Sequence, residues 1–144
     1  MKQYDVFFSH STRTDPDTTT EKVIEVAYRC LIAHRRTVFW DRKCMDEGKL
    51  LPAELRDIIG HSRLAVFFIT QAAGQSSWVE FELEVARASQ TRVRGVLIDA
   101  GAQPPGWFLP SELIRLQCPM TEEGAAVQVC SEVLRILDSL GRFD

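Results

Sequence analysis

The chain opens on a short apolar run, Tyr4 to Ser9 (YDVFFS), followed by a polar stretch, His10 to Thr20, rich in Ser, Thr and Asp. Aromatic and β-branched residues in such a run fit a strand that feeds a loop. From Thr20 the period changes. Val23, Ile24, Ala27, Leu31 and Ile32 recur at helical spacing ahead of a basic His34-Arg35-Arg36 end, which predicts a first helix. Thr37 to Trp40 (TVFW) reads as a second strand, and Asp41 to Lys49 as a polar loop with a turn at Gly48. Pro52 suits the first turn of a second helix, whose apolar face is Leu55, Ile58 and Ile59 and whose stop is Gly60.

Leu64 to Thr70 (LAVFFIT) is apolar at nearly every residue, as expected of a central parallel strand covered on both faces. A small polar loop, Gln71 to Ser77, leads into a helix over Trp78 to Ser89. Val93 to Asp99 is a fourth strand, Ala100 to Pro110 a Gly/Pro loop, and Leu113 to Cys118 a short edge strand. A last helix, Glu122 to Leu140, is predicted to bury Val127, Cys130, Val133, Leu134 and Leu137. Strands alternating with helices in units of roughly 30 residues predict an α/β fold, a flavodoxin-like open parallel sheet of about five strands with helices on both faces. Ligands of such sheets sit at the carboxyl ends of the strands. The loops after Phe8, Trp40, Thr70 and Asp99 therefore share the informative edge.

The 144 residues suit one domain spanning 1–144. Seventeen Lys+Arg against twenty Asp+Glu leave a net charge of -3, too balanced to hold nucleic acid by counterion release or to favour an anionic membrane surface. No apolar run approaches the roughly 20 residues of a membrane span, and the Met1-Lys2-Gln3-Tyr4 start carries no signal-peptide core, so a cytoplasmic location is expected. Cys30, Cys44, Cys118 and Cys130 are widely separated, without a Cys-x-x-Cys pair. Neither a disulfide scaffold nor a structural zinc is expected from that spacing, and no metal site is assigned.

Three uses of the fold fail on missing chemistry. The position after the first strand reads Ser9-His10-Ser11-Thr12-Arg13, without the glycines of a dinucleotide fingerprint. Gly48-Lys49 is followed by Leu50 and lacks the upstream glycine of a phosphate-binding loop. A phospho-receiver's acidic pair and third-strand aspartate are absent from Ser9-His10 and Thr70-Gln71.

The helix from Trp78 carries the chemistry. At about 100° per residue, Val79, Leu83 and Ala86 fall on one flank and Phe81, Val85 and Ala88 on the other, while Glu80, Glu84 and Arg87 share the opposite, solvated arc. Glu82 projects between Trp78 and Ala86, within the apolar arc. A bare carboxylate there would cost several kcal/mol, so it must be paired, hydrogen-bonded or facing a pocket; a salt bridge to Arg13 is the plain structural alternative. Trp78, one turn earlier, could stack a ring or simply fill core. Ser9, His10 and Arg13 could bind a diphosphate, and Trp107 could stack a base or close the sheet edge. His34 and His61, at helix ends, read as caps that offset the helix dipole.

Taken together, YDVFFSH, VFWD leading into a DEG-containing loop, LAVFFIT, and Ser76-Ser77-Trp78-Val79-Glu80-Phe81-Glu82-Leu83 resemble a Toll/interleukin-1 receptor (TIR) domain over Tyr4 to about Leu140. That family comprises scaffolding adaptors and enzymes, bacterial members among them, that cleave the nicotinamide–ribose bond of NAD+. The resemblance implies that Glu82 is the catalytic glutamate, with Ser76 and Trp78 matching the family's motif and Val79 standing where Cys is common. It implies NAD+ as substrate rather than cofactor, and nicotinamide with ADP-ribose or a cyclic variant as products. The resemblance implies substrate contacts from Asp41 and Leu50, at the ends of a loop whose Asp46, Glu47, Gly48 and Lys49 mediate TIR–TIR contact and help complete a neighbour's site; Lys49-Leu50 replace the aromatic that some family enzymes carry there. A fused sensing domain outside this chain, making it the amino-terminal part of a longer defence or signalling protein, is also implied. The competing expectation is a non-catalytic TIR scaffold.

Overall fold

In the computed structural model of the protein, described for residues 3–10, 18–40, 52–69, 77–97, 108–116 and 122–140, strands and helices alternate along the chain. They are β1 (Tyr4–His10), α1 (Thr18–Ala33), β2 (Val38–Trp40), α2 (Pro52–Gly60), β3 (Ser62–Ile69), α3 (Ser77–Ala88), β4 (Arg92–Leu97), a 3₁₀ turn (Pro110–Glu112), β5 (Leu113–Arg115) and α4 (Glu122–Leu140). The sheet has five strands in the order β2-β1-β3-β4-β5, and every pairing is parallel. β3 lies at the centre, which is why it is buried from Leu64 to Ile69 on both faces.

Alternation across the strands sends side chains to two separate apolar layers. Val6, Phe8, Leu64, Val66 and Phe68 pack against Ile24, Ala27 and Leu31 of α1 and Val129, Val133 and Leu137 of α4. Phe7, Ala65, Phe67 and Ile69 pack on the opposite side against Leu55 and Ile59 of α2 and Val79, Leu83 and Ala86 of α3. The amino edge of the sheet is closed by polar groups. Asp5 accepts from the Thr37 backbone N–H at 2.9 Å and from Arg63 Nη1 at 3.2 Å, and Arg63 Nη2 donates to the Leu137 carbonyl at 2.8 Å. Closure at that end leaves the carboxyl edge for function.

Three sequence expectations need correction. Val127 is 54% exposed, not buried. The buried stripe of α4 runs through Ala126, Val129, Cys130, Val133, Ile136 and Leu137, one position round the wheel from Val127, and Leu134 is half-buried. β5 ends at Arg115 and Leu116 is no longer strand, while Gln117 and Cys118 lie outside the described residues. The largest correction concerns the cysteines: Cys30 of α1 and Cys130 of α4 are joined in a disulfide across 100 residues of sequence, with Cα atoms 6.3 Å apart, inside the span a bridge requires. Spacing along the chain hid a contact that the packing of α1 on α4 creates.

Both histidines cap as expected. The ring Nδ1 of His34 lies 2.8 Å from the Cys30 carbonyl and that of His61 lies 2.7 Å from the Asp57 carbonyl, each a last-turn carbonyl that also accepts from the same histidine's backbone N–H. Two helices end in a left-handed residue that is not glycine: Arg35 has φ 61 and Gln90 has φ 60. Arg36 N–H bonds Leu31 O at 2.9 Å and Thr91 N–H bonds Ala86 O at 3.0 Å, the six-to-one closure of a Schellman motif.

Candidate functional site

β1 brings its last residues to the carboxyl edge, and parity along it decides which layer each one enters. Ser9 shares the parity of Phe7 and so faces α3. It is 3% exposed. Across from it Glu82 is 1% exposed, a carboxylate among the largest fully buried side chains of the protein. Ser9 Oγ donates to Glu82 Oε1 at 3.0 Å, a contact that spans 73 residues of sequence.

The neighbours of Glu82 along α3 are sorted as the wheel requires. Val79, Leu83, Val85 and Ala86 are buried, whereas Glu80, Glu84 and Arg87 are exposed. Ala88 departs from the expected apolar flank and is exposed, because it belongs to the last residues of the helix. The walls nearest the Ser9–Glu82 pair are apolar: Phe7, Phe67, Val79 and Leu83 belong to the same buried cluster. A hydroxyl donor to a carboxylate in such surroundings is stronger than the same bond in water and fixes the carboxylate's orientation. What the arrangement can do chemically is hold one oriented carboxyl group near the carboxyl ends of the strands, where ligands of such sheets sit.

Of the residues singled out from sequence, the structure brings Ser9 and Glu82 together. The Ser9 hydroxyl donates to the carboxylate. Parity along β1 puts Ser9 on the face of Phe7, and only the topology shows that α3 covers that face. The backbones of His10 and Trp78 belong to β1 and α3, while their side chains lie outside the described part, as do Arg13, Asp41, Asp46, Glu47, Gly48, Lys49, Leu50, Ser76 and Trp107. Two hollows among the described residues, of about 350 and 260 Å³, lie beside β4 and β5 and include neither Ser9 nor Glu82. Arg87 of α3 spans to the 3₁₀ turn, donating to Glu112 at 2.6 and 2.7 Å. That hydrogen-bonded pair, followed by the Leu109 N–H, holds the Glu112 carboxyl below its ordinary value against the opposing effect of burial. Among the described residues, no helix is long and apolar enough to cross a membrane.

An open five-stranded parallel sheet with a buried glutamate behind its carboxyl edge defines a doubly wound α/β domain with a candidate anionic site. The TIR domain model matches residues 6–128, and the chain belongs to the TIR domain family. Among solved structures it is similar to the TIR domain of the Toll-related receptor TRR-2 from Hydra magnipapillata, at 14% identity, TM-score 0.66, covering 95% of this chain and 97% of that one. It is also similar to a metazoan TIR-STING receptor from C. gigas in complex with 2',3'-cGAMP, at 18% identity and TM-score 0.61, covering 90% of this chain and 39% of that one. The TIR domains of the activated Roq1 resistosome, which recognises the pathogen effector XopQ, match at 24% identity and TM-score 0.55, covering 96% of this chain and 81% of that one. A flavodoxin-like likeness extends to a diflavin flavoprotein from Nostoc sp., at 14% identity and TM-score 0.60, over 94% of this chain and 96% of that one. No curated protein matches the chain in sequence.

Proposed function

We propose that this chain cleaves the nicotinamide–ribose bond of NAD+, releasing nicotinamide and either ADP-ribose or a cyclic variant of it, with Glu82 as the catalytic carboxylate. The observation that supports the reading most is the burial of Glu82 at 1% exposure with Ser9 Oγ on its Oε1. A charge kept in an apolar layer at the ligand-binding edge of the sheet is costly, and sites are where such costs are met.

One carboxylate is enough for this reaction. An alkoxide leaving group must be protonated, so an ordinary glycosidase needs an acid as well as a base or nucleophile. Nicotinamide departs as a neutral molecule from a cationic pyridinium and needs no acid. As the C–N bond breaks, its electron pair stays on the nicotinamide nitrogen and positive charge develops on the ribose. Glu82, approached from the carboxyl edge, stabilises that charge, and Ser9 keeps Oε1 aimed without reorganisation during the step. Water attacking the ribosyl carbon gives ADP-ribose; a nucleophile of the same molecule gives the cyclic product.

The Asp41 to Leu50 segment is proposed as the assembly loop, through which copies associate head to tail and one copy completes the site of the next. The substrate belongs to the intracellular nucleotide pool, so this reading places the protein in the cytoplasm, in a defence or signalling role, joined to a sensing domain outside this chain. A scaffold reading is favoured by one observation, that a Ser–Glu pair this buried also serves packing alone. Incubation with NAD+ over a range of protein concentrations, with chromatography of the products, separates the two. The enzyme reading expects nicotinamide release that rises more steeply than linearly with concentration; the scaffold reading expects none at any concentration.

A further inference from the structure

Cys30, His34 and Cys130 stand apart from the carboxyl edge, between α1 and α4 on the sheet face opposite Glu82. Cys130 is 1% exposed in the core, Cys30 is half-buried near the end of α1, and His34 is exposed. Their ligand atoms lie within 4.8 Å of one another. The His34 ring is anchored by Nδ1 against the Cys30 carbonyl at 2.8 Å, which puts the same nitrogen 3.9 Å from Cys30 Sγ. One sulfur is thus reachable from solvent beside an imidazole N–H, and the other is held behind it. The thiolate is the nucleophilic form of cysteine, and at Cys30 it would stand beside the ring.

We propose that Cys30 and Cys130, with His34 as the positioning residue, form a thiol–disulfide exchange site that takes a peroxide-class oxidant in one direction and a dithiol reductant in the other. Persistent bridges belong to oxidising compartments, and pairs that close within a reducing one are transient or sensing; for its compartment, and for nothing else, the proposal rests on the NAD+ reading above. In oxidation, Cys30 as thiolate attacks one peroxide oxygen. The O–O bond breaks, hydroxide leaves with the electron pair and takes up a proton, and Cys30 carries a sulfenic acid. Cys130 Sγ then attacks that sulfur, the S–S bond forms, and the departing hydroxide with the Cys130 proton makes the second water. Two thiols have lost two electrons and one peroxide has become two waters. In reduction, a thiolate of the dithiol attacks Cys30 Sγ, the more accessible sulfur, and the electron pair of the broken bond goes to Cys130, which takes a proton from solvent. The second thiol of the reductant then displaces Cys30.

The test is differential alkylation of the purified, folded chain, with the Cys30 and Cys130 peptides followed by mass spectrometry and no NAD+ present. Dithiothreitol without denaturant is expected to open the bridge, Cys30 to label before Cys130, and one equivalent of hydrogen peroxide to close it again. Thermal melting should fall on reduction by on the order of 10 °C, because the bridge closes a loop of 100 residues. Cys130→Ser should accumulate a mixed disulfide on Cys30 with oxidised glutathione, and His34→Ala should slow Cys30 labelling several-fold, whereas His61→Ala, which removes the like cap of α2, should leave it unchanged. A Cys30→Ser, Cys130→Ala double variant that folds fixes the reference for the reduced state. A bridge that opens only in denaturant, or a reduced pair that peroxide does not close, overturns the proposal. So does stoichiometric zinc retained by the reduced protein and lost in His34→Ala, which would assign the three side chains to a metal centre. Each of these outcomes leaves the NAD+ reading untouched.

Discussion

Removing the hydroxyl of Ser9 tests whether it acts on Glu82 as a carboxylate. Ser9→Ala deletes the donor that lies 3.0 Å from Glu82 Oε1 in a setting where both residues are at most 3% exposed. A hydrogen bond to a charged group contributes about 1.5–3 kcal/mol, against about 0.5–1.5 for a neutral pair. The substitution should therefore cost about 2 kcal/mol in the native protein and about 1 kcal/mol when Glu82→Gln already supplies a neutral acceptor of the same shape. The coupling between the two positions comes to about 1 kcal/mol, above the few tenths expected of independent sites. Urea unfolding of the four proteins of the cycle measures it: with a slope of about 2 kcal/mol per molar, Ser9→Ala alone should lower the midpoint by about 1 M. Equal costs in the two backgrounds would refute the assignment of Ser9 as a partner of the charge, leaving only a packing role.

Other consequences are as direct. A Cβ on Gly95 would stand 2.8 Å from Ile69 Cδ1 and 3.3 Å from Leu113 Cδ2 and Phe108 Cδ1, so Gly95→Ala should destabilise by about 1–3 kcal/mol through overpacking; an unchanged urea midpoint would show that Ile69 yields freely. Gln90→Gly should stabilise by about 1 kcal/mol by relieving the left-handed residue at φ 60, and a lower melting temperature would contradict that account of the helix end. Arg87 holds Glu112 below its ordinary value, so the stability it contributes is present above the unfolded carboxyl value and disappears as pH falls through the lower folded one. Between about pH 5 and pH 3 the native protein should lose more stability than Glu112→Gln, and parallel pH profiles would refute the coupling.

The order of elements was legible because the periods differ: six apolar residues in a row at Leu64 to Ile69 can only be a central strand once helices flank it, and α2 carries its start and stop residues, Pro52 and Gly60, in plain view. The burial of Glu82 was legible too, since a wheel places it between Trp78 and Ala86. What the sequence hid is everything that depends on two elements meeting. The rotation of α4 that exposes Val127 is set by how it seats on α1 and β3, and the Cys30–Cys130 bridge by the same seating across 100 residues. Ser9 was singled out as a ligand for phosphate, yet its hydroxyl turns inward to Glu82, because the face of β1 that α3 covers is decided by topology, and residue type alone does not reveal it.

The central claim is that one buried carboxylate cleaves NAD+, and Glu82→Gln tests it most directly. The substitution keeps the shape and the Ser9 contact and removes the charge, while Glu80→Gln and Glu84→Gln alter exposed positions two residues away on either side along the same helix. Nicotinamide release, followed by chromatography on samples matched by circular dichroism and thermal melting, is the measurement. The account expects release to be abolished in Glu82→Gln, with the other two close to the native protein. Native rates in Glu82→Gln, or equal losses in all three, would contradict it.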